Sequence, residues 1–227
     1  MLTRLSLLSV VLLATAVLSA QTPAPAPAPV PGRTVTPIFE NGTLSAAKLT
    51  FAPGSREQPH THPYPLLVII TSRGELEMAN GGAPVKGAKV PGDFEFVPTG
   101  VTHAAANVGN APLEAIALNL KVDRVKGGTA PAPQALPGLT RTPVTSNDEL
   151  AITRLEFQPG VREPVHTHPY DLVVVPISAG TLDLQLGDKK SNYNAPVGQA
   201  LFIPRGVPHA VANTGNAPLR LLGVAIK

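Results

Sequence analysis

Cysteine is absent from the 227 residues of the sequence. The chain therefore has no disulfide bonds, no lipid-anchored amino-terminal cysteine and no thiolate chemistry, so its chemistry has to rely on histidine and carboxylate side chains. Charged residues make up only 15% of the chain, and the lysines and arginines that give a net charge of +3 are scattered. Without a basic patch or stripe, nothing in the sequence favours nucleic-acid binding.

Tryptophan is also absent, aromatic residues make up only 4% of the chain, and glycine (20) and proline (26) are abundant. No window of ten or more residues after the amino-terminal segment has a convincing helical period. Short apolar runs rich in β-branched residues are instead bounded by glycine, proline and asparagine, as at 66–71, 94–97, 113–120, 172–177 and 182–186. This pattern predicts an all-β protein whose antiparallel strands close into barrels.

The first 20 residues have the pattern of a signal peptide. Arg4 precedes an apolar run over residues 5–17, and the small residues Ser19 and Ala20 follow. The run is too short to span a bilayer comfortably, and a retained membrane anchor is the alternative interpretation. We expect cleavage after Ser19 or Ala20, a periplasmic or secreted mature protein without membrane association, and an Ala/Pro-rich linker over residues 21–33.

The sequence repeats itself at a constant offset of 106 residues. Residues 34–121 align with residues 140–227 without a gap, and 37 of the 88 pairs are identical. A period this long indicates duplicated domains, because the repeats of a solenoid are about 20 to 50 residues long. We therefore predict two domains over these ranges, named here the first and the second repeat, with a Gly/Pro-containing linker over residues 122–139.

All six histidines fall at three equivalent positions of the two repeats: His60, His62 and His103, and His166, His168 and His209. Residues two apart in a strand point to the same face, so each His-x-His pair directs both imidazoles into the same space. Three converging imidazoles hold a divalent ion of Fe, Mn, Zn, Cu or Ni and leave coordination positions open. The alternative is a pair of histidines that only form hydrogen bonds on a half-buried surface.

Both repeats resemble the cupin superfamily, and the whole chain resembles a two-domain bicupin. The first cupin motif, a glycine, five residues, His-x-His, a glutamate and a later glycine, is matched in part at Gly54, His60, His62 and Gly74 and at Gly160, His166, His168 and Gly180. The second motif is matched fully at Gly92, Pro98, Gly100, His103 and Asn107 and at Gly198, Pro204, Gly206, His209 and Asn213. The resemblance implies two jelly-roll barrels, each with a metal site.

The glutamate of the first motif is missing from both repeats. Counting back from the closing glycine places it at Leu67 and Val173, and the neighbouring Leu66 and Leu172 supply no carboxylate. The resemblance then implies three-histidine sites, similar to those of thiol dioxygenases and of the cupin that cleaves β-diketones. A metal without a carboxylate ligand keeps its full charge, which favours an anionic or enolate ligand.

One carboxylate of the second repeat is a candidate substitute for this glutamate. Asp171 lies two residues before Val173 and shares its face on an extended strand, whereas the first repeat has Pro65 at this position. Asp171 either completes the second metal site, or orients a histidine ligand, or lies at a solvated turn. If the two sites differ in chemistry, we expect the second one to be catalytic.

Two further residue pairs are candidates for a role near the metal. Arg162 and its counterpart Arg56 share strand parity with the histidines, so the guanidinium either binds a substrate carboxylate or pairs with the glutamate that follows it. Tyr170 and its counterpart Tyr64 follow His-Pro, and the phenol either donates a hydrogen bond near the metal or packs at the turn. The candidate catalytic residues are thus Asp171, Tyr170 and Arg162.

The leading hypothesis for function is a metal-dependent enzyme with dioxygenase-like chemistry on a small organic acid, phenol or dicarbonyl compound. A metal-dependent decarboxylase or isomerase is one alternative, and a non-catalytic cupin that binds a ligand or stores metal is another. The expected cofactor is a divalent transition metal, and the expected partner is a small molecule. Homo-oligomerisation is compatible with the sequence, which leaves the oligomeric state open.

Overall fold

The computed structural model describes residues 30–121, 123–124, 126–128 and 135–227, and these residues form strands but no helix. The predicted signal peptide, the Ala/Pro-rich linker up to residue 29 and part of the linker between the repeats lie outside the described residues. Nowhere in the described ranges is there a helix of the length and apolarity needed to cross a membrane.

Each repeat forms eight antiparallel strands in two sheets. The first repeat contains β1 (Arg33–Glu40), β2 (Leu44–Phe51), β3 (Leu66–Ile70), β4 (Gly74–Asn80), β5 (Val85–Lys89), β6 (Phe94–Val97), β7 (His103–Asn107) and β8 (Leu113–Leu120). The second contains β9 (Leu139–Ser146), β10 (Leu150–Phe157), β11 (Asp171–Pro176), β12 (Gly180–Leu186), β13 (Lys189–Ala195), β14 (Leu201–Ile203), β15 (His209–Asn213) and β16 (Leu219–Ile226). The predicted all-β architecture of two tandem barrels is confirmed.

The two sheets of each repeat enclose a hydrophobic core. In the first repeat, a five-stranded sheet of order β1-β2-β8-β3-β6 faces a three-stranded sheet of order β5-β4-β7. The equivalent sheets of the second repeat have the orders β14-β11-β16-β10-β9 and β13-β12-β15. Phe51 of the larger sheet and Leu76 and Met78 of the smaller one belong to the same buried cluster. Alternation along each strand directs every second side chain into this core, which makes each repeat a flattened barrel.

A third core joins the two repeats to each other. The outer faces of the two five-stranded sheets contribute to one buried cluster, with Leu67 and Leu118 from the first repeat and Val173 and Val224 from the second. The central strands are therefore buried on both faces, which explains why their sequences are nearly continuous apolar runs. Burial of this kind fixes the two barrels against each other.

Buried asparagines fasten the end of each histidine-bearing strand. Asn107 is 0% exposed, and its Nδ2 donates to the carbonyl oxygens of Phe51 (2.9 Å) and Ala111 (2.8 Å) while its Oδ1 accepts from the Gly109 amide (3.0 Å). Asn213 makes the equivalent three bonds in the second repeat. The side chain thus connects the turn after β7 to the end of β2.

Replacing Asn107 with alanine is expected to destabilise the protein by about 2–4 kcal/mol, because three buried hydrogen bonds are lost and their backbone partners remain unpaired. Denaturant unfolding measures this change. Asn110→Ala is the control, because this residue lies three positions away and is exposed. Equal stability of the two variants would show that the asparagine network contributes nothing.

Candidate metal centres

Backbone pairing brings the first and third histidines of each repeat together. The His60 amide donates to the His103 carbonyl (3.0 Å) and the His103 amide to the His60 carbonyl (2.9 Å). His166 and His209 form the same isolated bridge, with bonds of 2.9 and 2.8 Å. The segment before the His-x-His pair therefore runs antiparallel to the strand that begins with the third histidine.

A glycine turn holds the second histidine of each pair. The Gly100 amide donates to the His62 carbonyl (3.1 Å), and the Gly206 amide donates to the His168 carbonyl (2.8 Å). Gly100 has a φ of 74° and Gly206 a φ of 70°, a left-handed conformation that glycine adopts without strain. The glycine of the Pro-x-Gly sequence lies three residues before the third histidine. Its amide thus fixes the backbone of the His-x-His pair in the first motif.

The six histidines form two compact groups. His60, His62 and His103 form one and His166, His168 and His209 the other, and within each group the potential ligand atoms lie within 4.8 Å of one another. In the second group, Nε2 of His166 lies 3.1 Å from Nε2 of His168. Two nitrogens each about 2.1 Å from one ion lie about this far apart, so the spacing fits a shared metal.

Hydrogen bonds to backbone carbonyls orient the imidazoles. Nδ1 of His60 lies 2.9 Å from the Gln58 oxygen, and Nδ1 of His166 lies 2.9 Å from the Pro164 oxygen. A carbonyl oxygen only accepts, so Nδ1 carries the proton and Nε2 keeps the lone pair that a metal requires. Nδ1 of His209 makes the same bond to Val207 (3.0 Å).

Burial keeps the second and third imidazoles of each group neutral. The pKa of His62 is lowered to about 4, first by burial and then by the neighbouring histidines and Arg33. The pKa of His168 is likewise lowered to about 4 by burial, then by the neighbouring histidines and Arg141. Burial is also the main cause that lowers the pKa of the third histidine in each group. Neutral imidazole is the form that binds metal, so at neutral pH these ligands need not lose a proton.

The stability of the metal-free chain is expected to fall as the pH is lowered from 7 to 4.5. An unfolded histidine has a pKa near 6.5, so between about pH 4 and 6.5 the unfolded chain binds more protons than the folded chain. The lowered pKa values of His62 and His168 thus give stability that is present above this window and lost within it. Thermal unfolding of the wild type and of the His62→Gln/His168→Gln variant checks this. The variant is expected to lose less stability than the wild type between pH 7 and 4.5, because it lacks both histidines. An equal fall in both chains would contradict the assignment.

Both groups consist of histidines alone among the described residues. Leu67 and Val173, the positions at which counting places the missing glutamate, face the core between the repeats and not the barrel interior. Leu66 is the inward-facing neighbour in the first repeat and Leu172 in the second, and both pack against the interior clusters. Three imidazoles without thiolate or carboxylate suit a divalent first-row transition metal.

The expectation that Asp171 lies within reach of the second metal is not met. It shares the face of Val173 as predicted, but that face is directed toward the first repeat. Its Oδ2 accepts from Thr43 Oγ1 (2.5 Å) and pairs with Arg205 Nη2 (3.1 Å), and its Oδ1 accepts from the Arg205 amide (2.8 Å). Burial opposes ionisation of Asp171, but these hydrogen bonds outweigh it and lower its pKa. Asp171 thus forms an ion pair within the second repeat and a hydrogen bond to the first repeat, so the basis for favouring the second site through Asp171 is removed.

Arg162 is not directed into the barrel. Its side chain is 48% exposed and its Nη2 lies 2.7 Å from Asp183 Oδ2 of β12, while the counterpart Arg56 is 57% exposed and pairs with Glu77 of β4. Neither of the two predicted arrangements is therefore found, because each arginine pairs across to the neighbouring strand. The glutamate that follows each arginine is the residue that turns inward. Glu57 lies beside β7 and Glu163 beside β15, and both are buried.

Tyr170 does lie at the second histidine group. Its ring stacks on that of His168 with 5.0 Å between centroids and 12° between planes. A Cβ at Gly127, in the segment between the repeats, would lie 2.5 Å from Tyr170 Cβ, so this segment packs directly against the tyrosine. Burial raises the Tyr170 pKa and keeps the phenol protonated. Its counterpart Tyr64 is 38% exposed.

Sequence reasoning missed two buried ion pairs beside the histidines. Glu57 is 6% exposed and pairs with Arg33, and Glu163 lies 3.5 Å from Arg141. The sequence pattern offers Glu57 and Glu163 only as partners of the arginine that precedes each of them. Strand parity does not reveal them, because Glu57 and Glu163 lie three residues before the first histidine of each pair and therefore have the opposite parity. The structure has only isolated bridges in this segment and no continuous strand, so the parity does not hold there.

The comparisons with known proteins agree with this architecture. The family model described as "Cupin domain" matches residues 47–119 and again residues 153–225. "Beta-alanine degradation protein BauB" of Pseudomonas aeruginosa is 38% identical over 81 residues, which are 36% of this chain and 81% of that protein. "Germin-like protein 4-1" of Oryza sativa subsp. japonica is 32% identical over 101 residues, and the chain spans only 40% of its length.

Solved structures with low sequence identity share the fold over most of the chain. AerE from Microcystis aeruginosa has a TM-score of 0.68 at 17% identity, over 85% of this chain and 97% of that one. Salicylate 1,2-dioxygenase from Pseudaminobacter salicylatoxidans has a TM-score of 0.67 at 12% identity, over 85% and 76%. Oxalate decarboxylase from Bacillus subtilis has a TM-score of 0.61 at 16% identity, over 82% and 68%.

Proposed function

Because the chain belongs to the cupin domain family, we propose that it is a metal-dependent enzyme of the dioxygenase type that acts on a small organic acid, phenol or dicarbonyl compound. The observation that carries the proposal is the donor set, since each repeat gathers three imidazoles and no described carboxylate joins them. The similarity in fold to salicylate 1,2-dioxygenase supports the choice of reaction type.

The histidines of each group would hold the metal, and their hydrogen bonds orient them for it. Carbonyl oxygens hold the Nδ1 protons of His60 and His166, which leaves Nε2 of each ring available for binding. A divalent metal bound there supplies Lewis acidity and open coordination positions for a deprotonated substrate and for dioxygen. The three neutral ligands do not reduce the charge of the ion, which favours an anionic substrate.

Tyr170 distinguishes the second site from the first. Its stacking on His168 and its protonated phenol make it a hydrogen-bond donor for a substrate oxygen at that site. The second site therefore remains our candidate for the more active one, on the basis of Tyr170 and no longer of Asp171. Tyr170→Phe is the corresponding variant, because it keeps the ring and removes only the hydroxyl.

Oxygen consumption by the iron(II)-loaded chain tests the proposed reaction. A panel of hydroxybenzoates, 1,3-diketones and short 2-keto acids is offered, and ¹⁸O₂ is expected to place both labelled atoms in the product without consuming an external reductant. The variant with alanine at His60, His62, His166 and His168 is the control. Carbon dioxide release without oxygen uptake would replace the proposal with a decarboxylase, and binding without turnover would replace it with a non-catalytic cupin.

We also propose that the chain is exported, on the pattern of Arg4 and the apolar run over residues 5–17. The mature protein is expected to begin near residue 20 or 21. Amino-terminal sequencing of the periplasmic or secreted fraction measures this, and material that starts at Met1 would contradict it.

A further inference from the structure

One arginine enters each barrel beside the histidines. Arg33 of β1 lies opposite Phe51 in the antiparallel ladder, and Phe51 belongs to the interior cluster of the first repeat. Arg141 of β9 lies opposite Leu155, which packs against the interior cluster of the second repeat. Residues opposite each other in an antiparallel pair project to the same face, so both arginines project to the interior side.

The two arginines do not occupy equivalent positions of the repeat. At the offset of 106 residues, Arg33 aligns with Leu139, and Arg141 aligns with Val35. The positions are two residues apart on the same face of the strand, a distance that a long arginine side chain bridges. Each repeat therefore has an interior guanidinium although the sequence positions differ, which points to a requirement for the group itself.

Buried glutamates hold both guanidinium groups in place. Arg33 Nη1 pairs with Glu57 Oε1, with side chains 12% and 6% exposed, and Glu57 Oε2 accepts from the Ala105 amide (3.1 Å). Glu163 accepts from the Val211 amide (3.0 Å) in the same way. Ala105 and Val211 each lie two residues after the third histidine of their group, so the ion pairs are anchored next to the metal ligands.

Arg33 has hydrogen-bonding capacity that the described residues do not use. Its Nε is buried and finds no hydrogen-bond partner among them. A buried donor without an acceptor is costly, which calls for a partner that the protein alone does not provide.

We propose that Arg33 binds a carboxylate of the ligand whose other donor group binds the metal at His60, His62 and His103. This inference rests on the proposed metal site and narrows the substrate class to carboxylic acids with a second metal-binding group. Arg33 is a specificity-determining residue in this arrangement, because its guanidinium matches the geometry of a carboxylate. Glu57 is a positioning residue that orients it.

The experiment compares fumarate with crotonate in a chain that keeps only the first site. His166→Ala and His168→Ala disable the second site, the chain is loaded with cobalt(II), and binding is followed in its visible spectrum. Fumarate and crotonate share a trans-alkene carboxylate and differ in a second carboxylate against a methyl group. The trans geometry prevents both carboxylates of fumarate from binding one ion, so the second one is free to meet Arg33.

Fumarate is expected to bind about tenfold or more tightly than crotonate, and Arg33→Gln is expected to remove this difference while crotonate affinity changes by no more than about twofold. Arg33→Gln/Glu57→Gln is measured beside it, because it avoids a buried unpaired glutamate. Arg56→Gln is the matched control, since this exposed arginine pairs with Glu77 outside the barrel. Cobalt content and thermal stability are measured for every variant.

If the Arg33→Gln/Glu57→Gln variant holds cobalt and still prefers fumarate, the inference is overturned and Arg33 is only a counter-ion of Glu57. Loss of the preference in Arg56→Gln as well would also overturn it. A chain with both histidine groups intact that binds no metal would instead overturn the proposed function. The two failures are therefore distinguished by cobalt content alone.

Discussion

Replacing His60 and His62 with alanine is expected to lower the metal content from two ions per chain to one. Each group holds its ligand atoms within 4.8 Å and shares no residue with the other group, so the first site loses two of its three ligands while the second is untouched. A single remaining imidazole holds a divalent ion too weakly to survive gel filtration. Elemental analysis of the purified variant gives the stoichiometry.

The reciprocal variant with alanine at His166 and His168 is the matched control and is expected to retain one ion in the first site. Arg56→Gln, at an exposed residue of the first repeat, is expected to retain both ions. Unchanged stoichiometry after replacement of His60 and His62 would mean that the first repeat is not a metal site.

Leu67→Glu is expected to destabilise the protein by about 3–5 kcal/mol, and the new carboxylate is not expected to bind the metal. Counting along the motif places the family's glutamate at this position, but Leu67 is 0% exposed and lies in the core between the repeats. A carboxylate there would be buried among apolar side chains without a counter-ion. Denaturant unfolding with and without metal measures the loss.

Leu66→Glu is the informative comparison, because Leu66 faces the interior of the barrel that holds the histidines. Its carboxylate is also costly in the metal-free chain, but it projects to the side on which the ion binds. Metal loading is therefore expected to restore much of the stability of Leu66→Glu and none of that lost in Leu67→Glu. Recovery of Leu67→Glu by metal would contradict the assignment of the two faces.

The fold could be predicted from the sequence because duplication makes its signals redundant. The runs at 94–97 and 113–120 coincide with β6 and β8, and the histidine motifs recur at a constant offset. The packing between the repeats was not predictable in the same way. β8 and β16 are buried on both faces, and an apolar run carries no alternation that tells which face meets the partner sheet.

The same ambiguity explains why the sequence suggested that Asp171 lies near the second metal. Strand parity correctly grouped Asp171 with Val173, but it does not tell which of two buried faces of β11 points to the histidines. Comparison of the repeats did not pair Arg33 with Arg141, because they are 108 residues apart and the repeat offset is 106 residues. The histidines themselves were found, since all six of them fall at equivalent positions.

A crystal structure of the cobalt-loaded chain with anomalous diffraction tests the central claim most directly. The account predicts two peaks, one in each repeat, each about 2.0–2.2 Å from three imidazole nitrogens and without a carboxylate ligand. Peaks located away from the two histidine groups, or a glutamate or aspartate bound to either ion, would contradict it.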